Sequence, residues 1–515
     1  MLFRSPVVRF FSRILNRVTI TVVLVALQLL WLCWVAFAIT TGTGRVWVNG
    51  LLNALSLLIV LYLVRKDENS AYKVGWIALI GILPLLGGAL YLAFGNKRPA
   101  KRLRLKMQAV EDAHKKDLVQ EPGVLEGLDA REQGQSRYVA KYGPYPAWQN
   151  TRTQYFACGE AMYPQLLADL EKAEKSIFLE FFIVSHGCMW NGIEKILRRK
   201  AAQGVDVRLI YDDFGSLLGL PADFIVRMER AHIRCIPFNP VVPLLSLVMN
   251  HRDHRKIVVI DGTVAYTGGV NLADEYINHI EKYGRWKDSA LMLEGEGVRS
   301  MTALFLQMWS ILCQPEFEQF LSDPIPAAAN AKGFVVPYGD CPLDGERVGE
   351  MVYMDMLNRA RKYVHIISPY LILDGELETA LRFAAERGVD VHLILPGKPD
   401  KWFVYALAKT HYKALISSGV KISEWQPGFT HAKIVIADGV EAVAGTINLD
   451  YRSLYHHFEN AVWMRGTDCI ANMEADFQDT LTRCRRVEQT RESIWQGKKL
   501  LRLMGLLLKV IAPLM

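Results

Sequence analysis

The sequence predicts an α/β fold: two copies of one half-domain forming a single pseudo-symmetric αβα unit, preceded by N-terminal transmembrane helices. Three observations predict it. The stretch His254-Arg255-Lys256-Ile257-Val258-Val259-Ile260-Asp261 recurs as His431-Ala432-Lys433-Ile434-Val435-Ile436-Ala437-Asp438. Gly204-Val205-Asp206-Val207 recurs unchanged as Gly388-Val389-Asp390-Val391, each time after an amphipathic helical stretch. The chain is 51% hydrophobic, and the excess sits in the first hundred residues and the last twenty.

A chain of 515 residues is long enough for two or three compact domains. The net charge of +7 is mild, and no long basic-aromatic alternation forms a nucleic-acid groove. A small basic excess suits an anionic lipid surface. The eight cysteines are scattered without a Cys-x-x-Cys pair, which excludes a zinc ribbon or a disulfide framework and predicts reduced thiols.

At the N-terminal end, Arg4, Arg9, Arg13 and Arg17 precede the uncharged run Val18–Ile39, long enough to cross the hydrocarbon. No small-residue cleavage site follows it, so it reads as a retained anchor rather than a signal peptide. Trp47–Val64 is a second apolar run and Val74–Phe94 a third. Lys and Arg mark the cytoplasmic side. The tail holds four, the 40–50 loop one, the 65–73 loop three and residues 97–106 six. Two spans satisfy all these counts, with Val74–Phe94 a re-entrant or interfacial hairpin. Pro84 and Gly87-Gly88 in its middle weaken a straight helix. A kinked third span with an external tail is the alternative. The anchor is thus residues 1–96, followed by a basic juxtamembrane helix and linker over 97–150.

From residue 151 strands alternate with helices, which predicts a parallel or mixed sheet flanked by helices. The first half spans 151–323, with a strand at Ser176–Val184, a helix at Asn191–Gln203 and a strand running to Tyr211. The second spans 332–490, with a strand at Tyr363–Ile367, a helix at Glu376–Arg387 and a strand running to Leu395. Pro324-Ile325-Pro326 is the joint. The tail, 495–515, places Lys498, Arg502 and Lys509 on one helical face and leucines on the rest. It resembles a short interfacial helix; docking on the protein's own core is the alternative.

Within each copy of the repeated motif, His and Lys are two apart and so project from one face of a strand. Gly268 and Asn271 lie 14 and 17 residues past His254, and Gly445 and Asn448 lie 14 and 17 past His431. A glycine there allows close backbone approach to a ligand, and an Asn amide can donate to a phosphate oxygen. Asp288 and Glu459 can each accept the second ring N–H of a motif His and fix its tautomer. Brought together, the halves offer two His, two Lys and two Asn around one cationic pocket without a carboxylate cluster for a metal. The guest this predicts is a phosphate, with no metal and no cofactor. One neutral His attacks phosphorus; the other, protonated, gives a proton to the leaving alkoxide and then serves as base. Lys256, Lys433, Asn271 and Asn448 stabilise the equatorial oxygens.

The complete motifs His254-x-Lys256-x4-Asp261 and His431-x-Lys433-x4-Asp438 resemble the paired HKD motifs of the phospholipase D superfamily. The wider context resembles the bacterial cardiolipin synthases: Asn250 to Lys256, Gly268-Gly269-Val270-Asn271, Trp286-Lys287-Asp288, Gly445 to Ser453, and the N-terminal segment Gly75 to Gly95. The resemblance implies two phospholipase D-like halves and ping-pong transfer between two phosphatidylglycerol molecules, giving cardiolipin and glycerol. It implies His254 as nucleophile and His431 as general acid and base. It also implies an acidic residue behind each His. Glu459 fits that place 28 residues past His431, whereas the first-half place holds Lys282, so that Asp288 must substitute from a shifted position. Asp261 and Asp438 belong to the motif but fall on the other strand parity, and a structural role is expected. The implied partners are phosphatidylglycerol and an anionic bilayer. The implied location is the bacterial inner (plasma) membrane, with the catalytic part cytoplasmic. Hydrolysis by a phospholipase D, transfer to another alcohol, and a non-catalytic scaffold are the competing readings. The sequence sets no oligomeric state.

Overall fold

The computed structural model describes residues 45–66, 70–83, 87–88, 90–92, 101–241, 251–313, 318–321 and 324–512, with a few positions between 26 and 34. It forms two compact units, one mainly residues 1–101 with 239–251, the other mainly 102–238 with 252–513.

In the first unit, Arg45–Arg65 and Ser70–Ile82 are helices. Ile59 and Leu63 of one pack with Trp76 and Ile80 of the other and with Tyr91. A Cβ on Gly87 would lie 2.6 Å from the Leu79 carbonyl oxygen, whereas a straight helix holds residues eight apart about 12 Å from each other. The chain therefore reverses, and the Trp76 and Tyr91 rings meet edge to face at 5.4 Å. Residues 84–86, 89, 93 and 94 of the expected Val74–Phe94 hairpin lie outside the described residues. Leu51, Leu55, Leu58 and Leu61 of the first helix stay exposed. Among the described residues no helix is long and apolar enough to cross a membrane. The expected span Val18–Ile39 lies almost wholly outside the described residues, as do Asn250 and the 93–100 flank.

The second unit contains two sheets of the same design. The first is built from β1 (Thr151–Phe156), β2 (Ser176–Phe181), β3 (Asp206–Asp212), β4 (Arg234–Phe238), β5 (Lys256–Ile260), β6 (Val264–Gly268) and β7 (Ala290–Gly295). Its order is β1-β7-β6-β5-β2-β3-β4. The second uses β8 (Phe334–Asp340), β9 (Tyr363–Ile367), β10 (Asp390–Pro396), β11 (Lys421–Trp425), β12 (Ile434–Ala437), β13 (Glu441–Gly445), β14 (His457–Arg465) and β15 (Cys484–Arg486). Its order, β8-β14-β13-β12-β9-β10-β11-β15, repeats the first and adds one strand. In each, the β2–β3–β4 or β9–β10–β11 ladder is parallel and the rest antiparallel. The expected mixed sheet and duplication are both present.

Strand parity explains the layers. Ile177 and Leu179 of β2 face the helices Gly159–Lys172 and Cys188–Ala202, packing with Leu166, Leu170, Ile193 and Leu197. Phe178, between them, stacks on Phe305 of the buried helix Val298–Leu312 on the opposite face, ring to ring at 4.7 Å. The duplicated Gly-Val-Asp-Val has a local cause. Gly204 (φ +92°) and Gly388 (φ +97°) sit in the left-handed region just past a helix end, where a Cβ is strained. The valines after them enter the core.

Two expectations need correction. Residues 122–142 are not a linker but the helices Pro122–Glu126 and Ala130–Tyr142, the second opened by an Asp129/Glu132 capping box. They are fastened to the second half through a Glu132–Arg465 ion pair and an Arg359–Gln135 hydrogen bond of 2.6 Å. The C-terminal helix Lys499–Ile511 does dock on the protein: Gly505 approaches the Ala406 carbonyl of the helix Trp402–Ser417 closely. Its Leu500, Leu503, Leu506 and Leu507 remain exposed, so it has a docked face and an apolar outer one.

Asp261 and Asp438, grouped with the catalytic residues by their motif, stand at turns closing β5 and β12. By strand geometry Asp261 is about 16 Å from Lys256. Each adopts a left-handed φ (+51° and +53°) and is followed by a glycine that does the same. The Asp261 carboxylate accepts from the backbone N–H groups of Glu174, Lys175 and Ser176 at 2.7–2.8 Å. Asp438 accepts likewise from Arg361, Lys362 and Tyr363 at 2.7–2.9 Å. They join neighbouring strands and take no part in the pocket. Asp261→Ala should lower the thermal unfolding midpoint by several degrees, equivalent to roughly 2–3 kcal/mol. Asp261→Asn, which tolerates the left-handed turn, should lose less; an unchanged midpoint for the alanine variant would refute this role.

Candidate active site

Each motif His lies just before a core strand, His254 two residues before β5 and His431 three before β12, and each is held by the opposite half. Residues Arg252–Asp253 pair in parallel with His457–Phe458, and Gly428–Thr430 pair in parallel with Arg285–Lys287. These two short bridges are equivalent in the two halves. They let the His254 N–H donate to the Phe458 carbonyl at 2.9 Å and the His431 N–H to the Lys287 carbonyl at 2.6 Å. The residue after each of those carbonyls is a carboxylate.

The supporting carboxylates are therefore exchanged between halves. His254 Nδ1 lies 2.9 Å from both Glu459 oxygens, and His431 Nδ1 lies 2.8 Å from Asp288 Oδ2. An Nδ1–H donating to a carboxylate leaves the Nε2 lone pair for chemistry. Asp288 and Glu459 are equivalent positions: Ala290 pairs with Gly268 and Ala461 with Gly445, two residues beyond each carboxylate. The apparent shift of Asp288 arises because the first-half connection from Gly268 is six residues longer. Lys282, which counting alone puts in this place, is an exposed residue paired with Glu275 at 3.0 Å.

All four groups are buried. Burial tends to raise the Asp288 and Glu459 pKa values, but His431 and His254 beside them hold both below the usual carboxylate range. Burial also pushes the imidazoles down, His431 to about 4 with help from Lys433, and His254 well below its ordinary value despite Glu459. Burial thus favours the neutral form of each ring. Glu459 is braced further by Ser453 Oγ at 2.7 Å and by the Thr446 hydroxyl. Gly269 takes the place of Thr446 in the first half, where any Cβ would collide with Asp288.

Lys256 Nζ donates to the His254 carbonyl at 2.6 Å, and Lys433 Nζ to the His431 carbonyl. Burial lowers Lys256 to about 8. It lowers Lys433 to about 7, where the proximity of Lys256 also opposes the charge. Two ammonium groups that repel in a dry pocket are what a phosphate would neutralise.

The asparagines are less alike than expected. Asn271 accepts from the Ile183 N–H at 3.0 Å and donates to Tyr276 Oη at 2.8 Å, which leaves one amide hydrogen. Asn448 is buried with its Oδ1 unpartnered. Gly268 and Gly445 serve strand contact rather than ligand approach, since a Cβ on either would lie 2.4 Å from the Ser289 or Asn460 carbonyl oxygen. Sequence reasoning missed the rings around each His. His431 sits among Trp286, Tyr276 and Phe429 at 5.4–5.9 Å. His254 meets Phe182 at 5.1 Å and His457 at 5.4 Å. Donor atoms of His254, His457 and Glu459 lie within 4.8 Å of one another. The carboxylate's bonds to His254, Ser453 and Thr446 make this a positioning cluster first. Two imidazoles, each fixed by a carboxylate of the other half, and two buried lysines supply the groups that displacement at a phosphodiester needs.

Comparison with known proteins agrees with this geometry. Residues 166–309 and 353–481 match the family described as cardiolipin synthase, PLD-like domain. Residues 52–96 match the phospholipase D-nuclease N-terminal segment. A Streptococcus mutans protein described only as uncharacterized is 47% identical over 88% of this chain and 99% of its own length. A cardiolipin synthase of Geobacillus kaustophilus is 33% identical over 90% of this chain and 92% of its own. Among solved structures, the phosphatidylserine synthase of Haemophilus influenzae shares the fold, with a TM-score of 0.55 at 16% identity over 75% of this chain and 98% of that one. With both halves matched and both motifs complete, the chain belongs to the cardiolipin synthase, PLD-like domain family.

Proposed function

We propose that the protein is a phosphatidyltransferase of the cardiolipin synthase type, acting on phosphatidylglycerol at the bacterial inner membrane. The observation that carries the reading is the exchanged pair of His–carboxylate couples beside two buried lysines. In the first step His254 Nε2 attacks phosphorus, the bond from phosphorus to the headgroup oxygen breaks, and His431, protonated on binding the anion, gives its proton to the departing glycerol. In the second, neutral His431 takes a proton from the hydroxyl of a second phosphatidylglycerol, whose oxygen displaces His254 and forms cardiolipin. Lys256, Lys433, Asn271 and Asn448 hold the charge on the non-bridging oxygens.

The membrane assignment is supported by the exposed leucines of Arg45–Arg65, the match over residues 52–96 and the apolar outer face of the C-terminal helix. We place Val74–Phe94 as a re-entrant hairpin, with the catalytic unit on the cytoplasmic side. Labelling of an Asn96→Cys variant from outside intact cells should fail; labelling there would remove this topology.

The decisive assay supplies the purified protein with phosphatidylglycerol vesicles. Cardiolipin with released glycerol is expected, whereas phosphatidic acid alone would make the protein a hydrolase. A phosphatidyl ester of p-nitrophenol separates the roles, because nitrophenolate leaves without a proton. His254→Ala should give no nitrophenol burst, a loss of at least about 10³-fold. His431→Ala should keep the burst and stall afterwards. Because the supports are exchanged, Asp288→Asn should behave like His431→Ala, slowing turnover on the order of 10²- to 10⁴-fold, and Glu459→Gln like His254→Ala. The reverse pairing of phenotypes would refute the assignment.

Orthovanadate inhibition should depend on pH with a defined sign. Lys433 and Lys256, lowered by burial to about 7 and about 8, must be protonated to hold the anion. Affinity should therefore hold up below pH 7 and weaken above pH 8, by up to about tenfold per pH unit for each proton taken up. A flat profile between pH 6 and 9 would exclude the lysines as the charge that binds phosphate.

A further inference from the structure

The two half-sites differ at one equivalent position, two residues before each supporting carboxylate. In the first half it is Trp286, whose Nε1 donates to Asp288 at 3.3 Å and whose ring packs on Tyr276 and Phe429 at 4.7 and 5.0 Å. Its hydrogen-bonding capacity is used. In the second half it is His457, beside His254. The two rings are 5.4 Å apart, and His457 lies along Phe182 at 6.4 Å.

His457 is 8% exposed, and neither Nδ1 nor Nε2 has a hydrogen-bond partner among the described residues. Its Nδ1 stands 3.7 Å from Glu459 Oε1, beyond hydrogen-bond distance. That oxygen is already taken by His254 and Ser453. An imidazole presents two polar ring nitrogens; Nδ1 faces Glu459, whose charge His457 helps to hold, and burying Nε2 unpaired is unfavourable. A phenylalanine would fill the space between Phe182 and His254 without that penalty. Buried polar groups left open next to a reacting centre are those a ligand completes.

We propose that His457 contacts the substrate, its ring N–H donating to a non-bridging oxygen of the phosphatidyl group while that group is bound to, or attacked by, His254. This rests on the phosphoryl-transfer reading of the pocket. It gives the His254 side a polar contact that the aromatic surround of His431 lacks. The bond strengthens as charge gathers on the phosphoryl oxygens, so it acts on turnover more than on binding.

The test uses the full chain in phosphatidylglycerol micelles, with His457→Phe and His457→Asn. Glycerol release by the Phe variant should fall by about 10²-fold in kcat with a small change in KM, and orthovanadate should inhibit it less tightly. The Asn variant, which keeps an N–H donor, should recover most of both. The thermal midpoint of the Phe variant should equal or exceed that of the parent, since a buried unpaired group is removed. Wild-type turnover and vanadate affinity in His457→Phe would overturn the proposal. So would an Asn variant as slow as the Phe variant, because packing would then be the cause. A parent protein that releases glycerol but makes no cardiolipin would overturn the transfer reading and leave the role of His457 standing.

Discussion

The exchange of supports between the halves is the interaction on which the site depends. Each motif His takes a backbone acceptor and a side-chain acceptor from the other half, through equivalent two- and three-residue bridges. Sliding one half along the other by one residue would turn His–carboxylate contacts into clashes, because side-chain direction alternates along a strand. Register between the halves and tautomer of the imidazoles are thus set together. Neither motif His has its supporting carboxylate in its own half.

Electrostatics make the pocket specific for an anion. Two lysines, two imidazoles and two carboxylates are buried within a few strands of one another. The carboxylates stay ionised because the rings beside them stabilise the charge, while burial strips the imidazoles of their protons. The lysines are left poorly compensated. A phosphodiester held there would restore the balance and, by its own charge, favour an imidazolium.

Much of this was legible in the sequence, and the remainder was not for identifiable reasons. The strands at Tyr363–Ile367 and Ser176 and the doubling of the motif follow from periodicity and repetition, which are local signals. The partnership of Asp288 with His431, and of Glu459 with His254, is long-range, and nothing within either half encodes it. Counting from the motif misplaced the first-half support because it treated a connection six residues longer as equal. The helices over 122–142 were within reach, since Asp129 and Glu132 form a capping box whose spacing is plain in the sequence. The Gly/Pro-rich flanks, Pro122-Gly123 and Gly143-Pro144-Tyr145-Pro146, have instead the composition of a linker. The glycines at 268 and 445 are expected from sequence to admit a ligand, whereas what approaches them is the adjacent strand.

The difference between Trp286 and His457 has a consequence for the history of such a chain. A site assembled from two identical subunits must carry the same side chain at both equivalent positions, so a change that helps one imidazole is imposed on the other. Joining the two copies through residues 324–332 lifts that restriction. Each half can then drift separately, and the two motif histidines acquire different surroundings. Covalent fusion is what allows the symmetry of the fold to persist while the symmetry of the chemistry is lost.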